Sequence, residues 1–102
     1  GTLVGVTGLY QGAQITLKNG EMIRLGRSSE NDLIFADQMH VSRQHCQITW
    51  DEAKGQYKIY DTSSTGSYMN GQEEPLPQNM EVWLGTGVTL DIGDSTNRFS
   101  LE

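Results

Sequence analysis

Four residues that could do chemistry crowd into one short stretch, Val41-Ser42-Arg43-Gln44-His45-Cys46. Asp61 follows downstream, so Ser42, His45 and Asp61 could be assembled on paper as a nucleophile triad. The spacing argues against it. There is no G-x-S-x-G elbow, and a serine and histidine three apart at a strand start rarely acquire the geometry of proton transfer. Asp61 reads instead as the end of a strand that caps the Ser/Thr-rich turn after it. Metal chemistry is no better supported. His45 and Cys46 are neighbours that a strand would turn to opposite faces, and His40 does not complete a set of three ligands. Cys46 fits a small core residue. Gly85-Thr86-Gly87 precedes a strand pattern rather than a helix, so it is not a nucleotide loop.

Anion binding suits these residue types better. A phosphate needs a guanidinium fork, hydroxyl donors and backbone N–H groups freed by tight turns. Arg27 offers the fork. Ser42 offers a hydroxyl and a loop N–H, and Ser64 and Thr65 offer the same. The competing reading makes Arg27 a solvated loop residue and 63–67 a simple turn.

These residues must be positioned by strands. The chain of 102 residues has 12 Gly, three Ala and many Val, Ile and Thr, which favours strands and turns. Period-two alternation marks Ala13/Ile15/Leu17, Cys46/Ile48/Trp50, Met80/Val82/Leu84, Val88/Leu90/Ile92 and Phe99/Leu101. Shorter apolar runs fall at Leu3–Val6, Leu33–Phe35, Tyr57–Tyr60 and Tyr68-Met69. Asn19-Gly20 predicts a hairpin whose second arm is Glu21–Leu25. About ten short segments at roughly 8–12-residue spacing, with none of helical period, predict an all-β sandwich or barrel.

The net charge is −6 and all of it lies in residues 51–102. An acidic chain without a basic stripe argues against a nucleic-acid backbone as partner, and none is expected. In the balanced half, Arg27 and Arg43 are the candidates for a small anion. No apolar run approaches the ~18 residues of a membrane span, so no membrane insertion is expected. The single Cys46 cannot form an internal disulfide, which points to a reducing, cytoplasmic compartment. The length suits one domain, 1–102, and the lack of an initiating Met suggests a module cut from a longer protein.

Three stretches in register resemble the forkhead-associated (FHA) domain family. They are Leu25-Gly26-Arg27, Val41-Ser42-Arg43-Gln44-His45, and Asp61-x-Ser63-Ser64-Thr65-Gly66-Ser67-x-x-Asn70-Gly71. The tail Gly87-Val88-Thr89-Leu90-Asp91-Ile92-Gly93 looks like that family's, with Val88 where Asp is usual. The resemblance implies a sandwich of about eleven strands in two sheets, binding loops at one end, and no enzymatic activity, cofactor or metal. It implies a monomeric module that binds phosphothreonine in a partner protein, with a Ser/Thr kinase upstream, in signalling or assembly. By position, Arg27 grips the phosphate, Ser42 hydrogen-bonds it, and Arg43, Ser64 and Thr65 contact the phosphopeptide. Gly26, His45, Gly66, Asn70 and Gly71 support the loops. Thr65 departs from the usual Asn, and a hydroxyl reaches less far than an amide. That departure keeps a second reading open, an interaction domain of the same fold that ignores phosphate.

Overall fold

The computed structural model describes residues 1–102, and the predicted alternation becomes strand burial. Cys46, Ile48 and Trp50 turn into the core while Gln47 faces solvent. The strands are β1 (Thr2–Thr7), β2 (Gln14–Thr16), β3 (Met22–Gly26), β4 (Leu33–Ile34), β5 (Cys46–Asp51), β6 (Gln56–Asp61), β7 (Ser67–Met69), β8 (Glu81–Gly85), β9 (Val88–Ile92) and β10 (Arg98–Leu101). They form two five-stranded sheets, β2-β1-β10-β9-β7 and β4-β3-β5-β6-β8. Only the β3–β4 pair is parallel. There are ten strands rather than eleven. The segment between β7 and β8 carries Pro75 and Pro77, which have no N–H for a ladder, and it pairs only at the isolated Asp61–Gln78 bridge.

The Asn19-Gly20 hairpin is not formed. The turn exists, with Gly20 at φ 77°, but its two arms belong to different sheets. β2 pairs with β1, Thr16 opposite Thr2, whereas β3 pairs with β5, Met22 opposite Thr49. Leu17 N–H reaches back to Gly1 O, and Gly20 N–H crosses to Trp50 O, both at 2.8 Å. Splitting the arms puts Leu17 and Ile23 between the sheets, where both are buried. Burial of two aliphatic side chains outweighs the local turn preference.

Between the sheets lie Leu3, Leu25, Phe35, Ile48, Tyr57, Ile59, Leu90, Ile92 and Phe99. Phe35 meets Phe99 and Tyr10 edge to face. The Tyr10 hydroxyl donates to Ile34 O and accepts from Ile34 N–H, each at 2.8 Å, which closes the open edge of β4.

One row of the second sheet places the loops of interest. Leu25 lies opposite Cys46, and Cys46 lies opposite Asp61. Because β3, β5 and β6 are successive antiparallel neighbours, the loop leaving β3, the loop entering β5 and the loop leaving β6 all emerge at this end.

Candidate functional site

The first two loops run side by side. Arg27 N–H donates to Ser42 O at 2.9 Å and Ser28 N–H to Arg43 O at 3.2 Å. Gly26 permits this approach: a Cβ there would lie 2.2 Å from Arg43 O. Asn31, buried beneath, donates from Nδ2 to both Arg43 O and Ser28 O.

His45 ties the second loop to the third. Its Nδ1 accepts the Ser42 N–H at 3.1 Å. A backbone N–H can only donate, so the neutral ring carries its proton on Nε2. That Nε2–H donates to Gly66 O at 2.9 Å, with Ser67 Oγ at 3.1 Å beside it. The ring is wholly buried, and burial, partly offset by the nearby Asp61 carboxylate, lowers its pKa.

The third loop is wound on Asp61. Its Oδ1 accepts Ser63 N–H at 2.7 Å and Ser63 Oγ–H at 2.6 Å, and Ser63 Oγ accepts Gly66 N–H at 2.8 Å. This is the cap read from the sequence. It presents Ser64 to Ser42: Ser64 N–H donates to Ser42 Oγ at 3.0 Å, and the two hydroxyls are 3.2 Å apart.

These bonds dispose of the triad. Ser42 Oγ is engaged by Ser64, His45 touches Ser42 only through its backbone, and Asp61 makes no hydrogen bond to His45. They also correct two details of the anion reading. The Ser42 and Ser64 N–H groups are spent within the protein, on His45 and on Ser42 Oγ. Thr65 likewise donates its hydroxyl proton to His40 O at 2.7 Å, leaving only acceptor capacity on that oxygen. Arg43 and Thr65 keep backbone N–H groups with no partner in the protein.

Charge is distributed in favour of an anion. Arg24 pairs with Asp32 and Arg98 with Asp91. The other two arginines, Arg27 and Arg43, have no side-chain partner in the protein, and both stand on these loops. The largest groove, about 350 Å³, lies beyond Tyr68 and is lined by Glu73, Asp91 and Asp94, so it repels a phosphate.

Gly26, Arg27, Ser42, Arg43, His45, Ser64, Thr65 and Gly66 are therefore brought together. Asn70 and Gly71 are not. They close a turn at the far end of β7, where Asn70 Oδ1 accepts Thr89 N–H at 2.9 Å, and they reach the site only through β7. Three supports were missed in the sequence. Asn31 holds the first loop, Tyr68 OH donates to Thr65 O at 3.0 Å, and Gly93 packs so tightly on His40 that a Cβ would lie 2.0 Å from its carbonyl. Only Gly93 had a signal, as the last glycine of the tail motif.

Fold and site define a two-sheet β-sandwich whose loops at one end carry two arginines without an internal partner and the Ser42–Ser64 hydroxyl pair. The sequence profile of the FHA domain matches residues 23–93, and the chain belongs to the FHA domain family. No curated protein sequence matches it. Among solved structures it is similar to the FHA domain of an Arabidopsis thaliana hypothetical protein (30% identity, 97% of this chain and 80% of that one, TM-score 0.78). It is also similar to a domain from a structural and functional analysis of phosphothreonine-dependent FHA domain interactions (25% identity, 97% and 91%, TM-score 0.71). The N-terminal FHA domain of S. cerevisiae Rad53p, in complex with a phosphothreonine peptide, shares the fold (21% identity, 96% and 87%, TM-score 0.73).

Proposed function

We propose that this chain binds phosphothreonine in a partner protein. One observation carries the reading. The two arginines without an internal partner stand on the paired loops that carry Ser42, whose hydroxyl meets that of Ser64, in a chain of net charge −6. A phosphorylated side chain brings a charge of about −1.5 to −2 and three acceptor oxygens. Arg27 and Arg43 supply the fork, Ser42 Oγ donates its proton, and the free N–H groups of Arg43 and Thr65 add dipoles. Charge-assisted bonds of this kind contribute about 1.5–3 kcal/mol each. The family's relatives named for phosphothreonine-dependent interactions support the same reading. Burying the extra methyl of threonine adds about 0.8 kcal/mol, roughly fourfold over phosphoserine.

In this reading the domain turns over no substrate. It docks a phosphorylated partner, as a monomer in the cytoplasm, downstream of a Ser/Thr kinase. Titration of one peptide in its phosphothreonine and unphosphorylated forms, against the domain and Arg27→Ala, tests it. Binding is expected only for the phosphorylated form and only with Arg27 present. Equal binding of both forms would favour a phosphate-independent interaction domain, a reading that the internal use of the Thr65 hydroxyl keeps in play.

A further inference from the structure

We infer that the site reads the phosphate and tolerates most sequences around it; this rests on the phosphothreonine reading above. A site discriminates flanking residues with donors and acceptors held in place beside the ligand's main chain, or with rigid pockets. On these loops most of the hydroxyls and amides near the Ser42–Ser64 pair are already spent, and the free backbone N–H groups of Arg43 and Thr65 are the ones assigned above to the phosphate. Thr65 donates to His40 O, Thr62 Oγ donates to Gln44 O, and Ser63 Oγ is held between Asp61 and Gly66. Tyr68 OH donates to Thr65 O. The nearby amides fare the same. Asn31 is buried on Arg43 O and Ser28 O, and Asn97 bonds Leu9 N–H and Gln38.

What the loops leave free suits an anion: two guanidinium groups and the Ser42–Ser64 hydroxyl pair. Further side chains stand open and unfixed, among them Ser29 and Glu30 on the first loop. Gln44 is exposed and makes no bond that would fix its amide. Met39, one residue before His40, is 76% exposed. Methionine is unbranched and polarisable, so it adapts to many neighbours and selects few. The Thr65–His40 bond is the particular cause, since it uses the side-chain proton at this position and leaves only the backbone N–H, which the phosphate reading already assigns to the anion.

The experiment uses fluorescence anisotropy on a panel of charge-matched phosphothreonine peptides with scrambled flanks, each with its unphosphorylated counterpart. The phosphorylated peptides are expected to bind within about fivefold of one another, and the counterparts at least about a hundredfold more weakly. A spread beyond about thirtyfold among phosphorylated peptides overturns the inference while leaving the phosphothreonine reading intact. Binding of the unphosphorylated peptides removes that reading, and the inference with it. Thr65→Asn supplies an amide with both a donor and an acceptor. It is expected to widen the spread; an unchanged spread overturns the assignment to Thr65.

Discussion

His45 Nδ1 accepts the backbone N–H of Ser42 at 3.1 Å, so the loop carrying Ser42 and Arg43 is held by a lone pair on a buried ring. The bond exists only while the imidazole is neutral. Protonation would set two donors against each other and leave a buried cation with no hydrogen bond to Asp61, whose Oδ1 is taken by Ser63.

Stability is therefore expected to fall in mild acid. Burial lowers the His45 pKa from its ordinary 6.5. As pH drops below that value the unfolded chain takes up the proton first, so it binds more protons than the folded chain. The contribution is fully present above 6.5 and is lost as pH falls toward the depressed folded value. Thermal unfolding midpoints should decline from about pH 7 to 5. A His45→Gln variant should be less stable throughout and flatter across that window. An equal slope in the variant would assign the effect to other groups.

Arg27→Ala is expected to separate binding from stability. The side chain has no internal partner, so its loss should change unfolding free energy by no more than about 0.5 kcal/mol. Phosphopeptide affinity should fall by about ten- to a hundredfold, the worth of one charge-assisted contact. Arg24→Ala is the control, since Arg24 sits in an exposed pair with Asp32 and should leave affinity nearly unchanged. Calorimetric titration of both variants decides the matter. Comparable losses would show that general positive charge, not Arg27, governs binding.

The strands were legible because alternation is local. Cys46, Ile48 and Trp50 announce their buried face without reference to any partner. Sheet membership is not local, and Asn19-Gly20 shows the difference. The dipeptide does turn, but whether its arms pair depends on β1 and β5, far away in sequence. The site divides in the same way. Arg27, Ser42 and Ser64 stood out by type and spacing, and the Asp61 cap by its offset from Ser63. The use of the Ser42 N–H by His45 and of the Thr65 hydroxyl by His40 depends on how two loops meet. Asn31 gave no sign because its partners are backbone carbonyls.

Gly26→Ala should damage stability and binding together. The new Cβ would lie 2.2 Å from Arg43 O and 2.6 Å from Asn31 Nδ2, neither of which can withdraw without breaking the bond between them. Overpacking of this kind costs about 1–3 kcal/mol. Because the displaced atoms belong to Arg43 and its brace, the first two loops should part and phosphopeptide affinity should drop. Denaturant unfolding and peptide titration measure the two effects. A variant with normal affinity would mean that the ligand site does not depend on this close approach.

Asp61 gives the sharpest test of how the third loop is set. Its Oδ1 serves both Ser63 donors, while its buried Oδ2 has no hydrogen-bond partner in the protein. Asp61→Ala strands the Ser63 N–H and hydroxyl, and each unsatisfied group costs about 1–3 kcal/mol. The loop carrying Ser64 and Thr65 should then lose its shape, and affinity should fall with stability. Asp61→Asn keeps an acceptor at Oδ1 and removes a buried charge whose second oxygen was unused. It should lose less than half as much stability as the alanine variant and hold affinity within about threefold. If asparagine proves as damaging as alanine, the carboxylate's charge, acting on the neutral His45 close by, matters more than its place as an acceptor.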